Sequence, residues 1–144
     1  MASRDNPKVI LLRGNPICKE TKSGAALTPG HLATLSAAGL LVPHPTAGGV
    51  ASKTFVREAA YIGKTIDDVF ASGDTVPHMT CRAGDEVNAL LQDGNNVGIG
   101  AYLESAGDGT LRLLASGVAV AKALVAVNTV GGATATARIK VEVL

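Results

Sequence analysis

The residues whose types and spacing come nearest to a chemical site lie in DGNNVGIGAYLE, residues 93–104. Laid on a helix-loop-helix calcium loop, this stretch supplies Asp93, Asn95, Gly98 and Glu104 at the first, third, sixth and twelfth positions. The fifth position of such a loop needs an oxygen ligand, and here it holds Val97. A helix must also follow the loop, and Ser105-Ala106-Gly107-Asp108-Gly109 cannot continue one. The same residues suit a hairpin corner. Asp93-Gly94-Asn95-Asn96 accept left-handed conformations, and Gly98 and Gly100 leave room for a bulge in a curved strand.

The other candidate chemistries are thinner. His31, His44 and His78 stand in separate segments, and none has a second ligand-type residue at metal-site spacing. No G-x-S-x-G elbow and no phosphate-loop pattern occurs, and the glycines from Gly94 to Gly100 lack the strand-then-helix setting of a dinucleotide site. Asp67 and Asp68 are adjacent, so on a helix their side chains diverge by about 100° and cannot share a reaction centre. Cys81 has Arg82 beside it, but no paired His or second Cys supports a reactive thiol. These residues point away from an enzyme and imply no cofactor.

The elements that would position such residues are mostly short strands. Turn dipeptides at Gly73-Asp74, Gly84-Asp85 and Asp93-Gly94, with Gly107-Asp108-Gly109, separate apolar segments at 75–81, 86–91, 97–103 and 110–114. Residues 137–144 (ARIKVEVL) alternate charged and apolar side chains, as a half-buried strand does. In residues 117–127 the Ala-rich content favours helix and the valines in alternation favour strand; strand is taken over helix because Gly131-Gly132 then supplies the turn into the last one. Two short helical turns are expected, one at 31–38 (HLATLSAA) stopped by Gly39, the other at 65–70 (TIDDVF) with Thr65 as N-cap and acids in its first turn.

The first fifty residues are punctuated by Asn6-Pro7, Asn15-Pro16, Thr28-Pro29-Gly30 and Pro43-His44-Pro45. Proline removes a backbone donor and pushes its predecessor towards extended conformations. The expected division is an extended N-terminal arm with turns at 1–50 and a small antiparallel β-barrel at 51–144. In the arm, residues 8–12 can form one short strand.

Bulk composition sets the frame. The chain has 144 residues, 47% hydrophobic but only 3% aromatic, with 17 glycines and a mean hydropathy of +0.27. One domain with a core of small branched side chains follows. Two cysteines without a CxxC pair do not make a secreted disulfide framework. No apolar run approaches the roughly 20 residues of a spanning helix, and the run at 9–12 is too short for a signal peptide, so a soluble chain without its own export signal is expected. Of 13 basic and 12 acidic residues, five and two fall in residues 1–22, leaving eight and ten for the rest. A basic arm without interleaved aromatics argues against direct nucleic-acid binding and for an acidic protein surface. Apolar surface that a domain of this size cannot bury points to association with other chains.

The order of features is similar to that of the head decoration (cement) proteins of tailed bacteriophages: TPGHL at 28–32, YIGKTIDDVFASGDTV at 61–76, RAGDEVNALLQDGNNVGIGAYLESAGDGTLRLL at 82–114, then a final pair of apolar strands. The resemblance covers residues 28–144 and is one of order, with no single diagnostic motif. It implies a mainly β protein, a β-barrel or β-tulip with an extended arm, and no catalytic residues. It also implies a homotrimer on the outer capsid surface of the virion, made in the bacterial host cytoplasm. Its partners would be the major capsid protein and its own copies, with no nucleic acid and no membrane. Candidate capsid or inter-subunit contacts in the arm are Arg4, Lys8, Val9, Ile10, Leu11, Leu12, Arg13, Lys19 and Lys22. Residues 9–12 suit donation of a strand to another subunit's sheet edge, or an ordinary edge strand within the chain.

Two alternatives remain at this level. Gly94, Val97, Gly100 and Leu103 resemble the spacing in barrel-sandwich carriers of biotin or lipoate, but those display a lysine on a hairpin tip, and no lysine lies between Lys64 and Lys122. A different virion component, such as a tail-associated β module, is the other.

Overall fold

The computed structural model describes residues 7–131 and 136–144. Five strands close into a barrel: β7 (Glu86–Gln92), β9 (Tyr102–Ser105), β10 (Leu111–Leu113), β11 (Ala119–Ala123) and β13 (Thr136–Val143). They run in the order β7-β10-β9-β11-β13, and β13 pairs back onto β7. That closing seam is antiparallel and long, from Thr136 opposite Gln92 to Glu142 opposite Glu86. The contact of β10 with β7 is parallel, through Leu111 and Leu91, so the expected antiparallel barrel has one parallel joint. Closure removes the edges that a sheet of this length would expose.

The alternation in 137–144 works as expected, with Ile139, Val141 and Val143 buried inside. Ala89, Ala121 and Ala123 are buried beside Leu91, Leu103 and Leu111. A barrel's bore narrows with its strand number, and small side chains let five strands close. The scarcity of aromatics in the composition has this physical use.

A second sheet has the order β2-β6-β5-β3-β4, all antiparallel: β2 (Ile17–Lys22), β3 (Leu32–Leu35), β4 (Leu41–Pro43), β5 (Thr54–Val56) and β6 (Thr75–Thr80). It curls until its ends approach, because Ser23 bridges Leu41 and the Gly24 N–H donates to the Leu41 carbonyl at 2.9 Å. Adjacent residues then feed two cores. Ala33, Leu41, Val56 and Val76 pack with Leu27, Ala59 and Phe70, whereas Leu32, Phe55 and Met79 join the core of the first barrel. A two-stranded ribbon, β8 (Asn96–Val97) with β12 (Val127–Asn128), completes the strands.

The first fifty residues depart from the expected arm. From Pro7 onward they are built into both sheets: β1 (Leu11–Arg13) pairs with β7, β2 with β6 and β3 with β5, so residue 50 does not divide two units. Residues 31–38 are not helical. Leu32 and Ala33 are both fully buried, on opposite faces, which a strand between two cores achieves and a two-turn helix does not. Gly39, with φ 79°, serves a hairpin turn closed by the Ser36 N–H to Leu40 carbonyl bond. Residues 65–70 form a turn in place of the expected helix. Asp68 takes hydrogen bonds from the Thr65 N–H at 2.7 Å and the Thr65 hydroxyl at 3.2 Å, folding the segment back before a helix can propagate. The helical structure among the described residues is one 3-10 turn, Ala60–Ile62, ended by Gly63 at φ 79°. The strands expected at 75–81, 86–91, 110–114 and within 117–127 are present, while that at 97–103 is split by a turn closed between Gly98 and Ala101. The Gly131-Gly132 turn falls partly outside the described residues.

Candidate functional site

The 93–104 stretch is flanked by strands, and the side chains of Asn95 and Glu104 are already in use. Gly94, at φ 85°, forms the tip after β7. The Asn95 amide donates to the carbonyls of Gln92 (2.9 Å) and Asp93 (3.3 Å), and its Oδ1 accepts the Leu113 N–H at 3.0 Å. Thr129 closes the corner by accepting the Asn95 N–H at 2.9 Å. Glu104, fully buried, accepts the Arg112 Nη2 at 2.7 Å and the backbone N–H groups of Ala115 (3.1 Å) and Gly117 (2.9 Å). Burial pushes its carboxyl up, but these donors together hold it below the usual range. The stretch is a structural corner whose acid locks the 115–117 turn. Among the described residues, no three His, Cys, Asp or Glu side chains gather as a metal site would require.

The histidines are structural staples. His44 Nε2 lies 2.9 Å from the Val50 carbonyl, which fixes that nitrogen as the donor and leaves Nδ1 to accept from the Ser105 hydroxyl at 2.7 Å. A serine donating to a histidine held by a third group has the logic of a nucleophile pair. Both residues are buried, however, and the pair instead pins the 44–50 loop to the barrel. His31 accepts the Thr28 N–H at 3.0 Å, and burial holds it below ordinary basicity. His78 bonds Thr21 at 2.8 Å, with burial and Lys19 lowering its basicity.

The expected contact residues do not form one surface. Arg4 lies outside the described residues. Lys8 and Val9 are exposed, but Ile10 is fully buried in the core, and its N–H meets Glu58 at 3.4 Å. Leu11 and Leu12 are half-buried, and Leu11 to Arg13 run along β7 of the same chain, with Arg13 3.9 Å from Glu86. Of the two uses open to residues 9–12, this placement is the intramolecular strand. Lys19 and Lys22 belong to β2, on the other sheet.

What faces outward was less visible in the sequence. Among the described residues β2 ends its sheet: beyond the bridge at Ser23, one side of Ile17–Lys22 pairs with no strand, and most of its side chains are exposed. Near it, the Tyr61 hydroxyl donates to Glu20 at 2.8 Å, which pushes the phenol's pKa up. Tyr61, Ile62 and Val69 are 64%, 63% and 60% exposed and border one shallow cleft with Phe70. Large apolar side chains grouped on a surface mark contact with another molecule. The signal available in the sequence was the apolar side chains of YIGKTIDDVF, of which the expected helical turn took in only 65–70.

No protein-family model matches the chain, and no curated protein matches it. Among solved structures, it is similar in fold to the N base of the head fiber gp8.5 in bacteriophage phi29. The TM-score is 0.56 at 10% sequence identity, covering 89% of this chain and 93% of that one. At this identity the likeness is one of fold.

Proposed function

We propose that this chain is a structural protein of a bacteriophage virion: a decoration protein that sits on the outside of the head and bridges major capsid protein subunits. The observation that carries this reading is the likeness of fold, over nearly the whole chain, to the base of a phage head fiber. The feature order of residues 28–144 supports it independently. So does the commitment of Glu104, His44, Ser105 and Asn95 to internal bonds, which favours a mechanical role over an enzymatic one. Contact with the shell would use Tyr61, Ile62 and Val69 and the open side of β2 with Lys19 and Lys22. Each bound copy adds interface that must be lost before neighbouring capsid subunits separate, and repetition over a shell multiplies the effect. Self-association as a homotrimer belongs to the same proposal.

The test is to add the purified protein to expanded heads lacking it and follow co-sedimentation, the temperature at which the heads open, and the protein's own mass by light scattering. Binding with a raised opening temperature, weakened by Ile62→Asp, is the expected result. A protein that neither sediments with heads nor changes their opening would overturn the proposal. Deleting residues 1–22 is unsuitable, since it removes β1 and β2 from both sheets.

A further inference from the structure

We propose that the cleft beside β13 is a binding site for an acidic segment of a partner protein, taking a carboxylate side chain that has an aliphatic neighbour. The cleft has a volume of about 540 Å³ and is walled by five separate pieces of chain: residues 7–8, residues 66–67, Asn88 of β7, residues 125–127 and the outer face of β13. That size lies within the range of about 300–1,000 Å³ typical of ligand sites.

Charge selects the ligand. Among the described residues, Lys8, Arg138 and Lys140 line the cleft, with Asp67 as the acid. Arg138 is held before any ligand arrives: Nη1 donates to the Pro29 carbonyl at 2.9 Å and Nη2 to the Ile66 carbonyl at 2.6 Å. These bonds take two of the five guanidinium donors and fix the plane of the rest, so little side-chain freedom is lost on binding. Burial lowers the basicity of Arg138, with Asp67 and Glu58 opposing, and an incoming carboxylate would add to their support. Buried Asn88 steadies the Lys8 segment, its amide reaching the carbonyls of Val9 (3.4 Å) and Pro7 (3.5 Å).

The walls narrow the choice further. Ile66, Val125 and Val127 supply aliphatic surface next to the cations, and among the described residues no aromatic side chain lines the cleft. Single-stranded nucleic acid is bound by aromatic stacking platforms beside a longer basic track. A carboxylate on a short side chain with an aliphatic residue next to it fits both halves of the cleft. This reading stands apart from the virion proposal, because it depends on the cleft alone.

Amide-resolved NMR titration of the full chain with acetyl-Ser-Leu-Glu-Leu-Ser-amide, and with the same peptide carrying Gln for Glu, tests the site. The Glu peptide is expected to shift the amides of Asn88, Val125, Val127 and Lys140. The Gln peptide, and separately the Lys8→Gln variant, should each bind about tenfold more weakly. The variant's melting temperature should stay near that of the parent, since Arg138 and its two carbonyl bonds are untouched. Equal binding of the two peptides, or shifts scattered away from the cleft, would overturn the proposal. So would inorganic phosphate matching the Glu peptide, which would make this a free-anion site, or tighter binding of a thymidine oligonucleotide at the same amides.

Discussion

Arg112 closes a two-nitrogen clasp on the buried carboxylate of Glu104: Nη2 lies 2.7 Å and Nε 2.8 Å from the same oxygen, Oε2. The other oxygen, Oε1, accepts the N–H groups of Ala115 and Gly117, so one acid joins β9, β10 and the turn into β11. Glu104→Gln keeps the shape but loses the charge, and should cost about 2 kcal/mol at neutral pH in urea unfolding. The folded carboxyl is held below its ordinary value of 4.5, so its contribution is complete above that pH and drains as pH falls through the lower folded value. The gap between parent and Glu104→Gln should therefore narrow on acidification below about pH 4.5. Parallel stability curves across that window would show that the charge is not what the site uses.

Gly117 stands where a side chain has no room. A Cβ there would lie 2.5 Å from the Gly48 carbonyl oxygen and 2.8 Å from Glu104 Oε1, and the Gly48 backbone is itself bonded to Ser105 and Val118. Gly117→Ala should cost about 2–3 kcal/mol, as overpacking against fixed backbone does. Gly98 has nothing within 4 Å of the same atom, and Gly98→Ala should fall within about 0.5 kcal/mol of the parent. Melting curves of the two variants give the comparison, and equal melting temperatures would contradict the crowding at Gly117.

Parts of this architecture could be read without coordinates because they are local. Gly73, Gly84, Gly94, Gly107 and Gly109 all have positive φ and all stand between strands, so their turn dipeptides marked true corners. The alternation in β13 survived because one face meets the core and the other solvent. The first fifty residues hid their strands for two reasons. β2 reads ICKETK with little periodicity because most of both its faces is exposed, and its partner β6 begins more than fifty residues later. In β3 and β5 the neighbours Leu32 and Ala33, or Phe55 and Val56, are buried on opposite faces in different cores, which erases the period-two signal. The cleft beside β13 combines the charged side of a strand that was recognised with segments whose approach depends on the whole fold.

Lys53 is the described non-glycine residue with positive φ, at 60°. Its Nζ donates to the Leu144 carbonyl at 2.8 Å, and its own carbonyl accepts the Cys81 N–H. The left-handed backbone costs a lysine about 1 kcal/mol that a glycine does not incur, and the side-chain bond returns a similar amount. Lys53→Gly should therefore be close to neutral, whereas Lys53→Ala loses the bond and keeps the strain. A difference of about 1 kcal/mol between the two variants in chemical denaturation is expected. Alanine equalling glycine would mean that the backbone at this position is not strained in solution.

The two thiols should report on folding separately. Cys18 is exposed on β2, with the Arg57 Nη1 3.3 Å from its sulfur. Cys81 is buried, and burial first, with the nearby Asp85 adding to it, pushes its thiol up to about 12. The thiolate is the attacking form, so at mildly alkaline pH Cys81 is disfavoured twice, by access and by protonation. An aromatic disulfide reagent should therefore modify one thiol quickly in the native protein, and Cys18→Ser should abolish that fast phase. The second equivalent should react only through opening of the structure, so the logarithm of its rate should rise linearly with sub-denaturing urea as the opening free energy falls. Two fast equivalents in the native state would mean that the segment after β6 opens far more readily than its burial implies. Glu104→Gln and Gly117→Ala, measured in this way, would then show whether the turn before β11 and the segment carrying Cys81 open together. A common acceleration would make the closed barrel and the second sheet one cooperative unit, and an unchanged Cys81 rate would separate them.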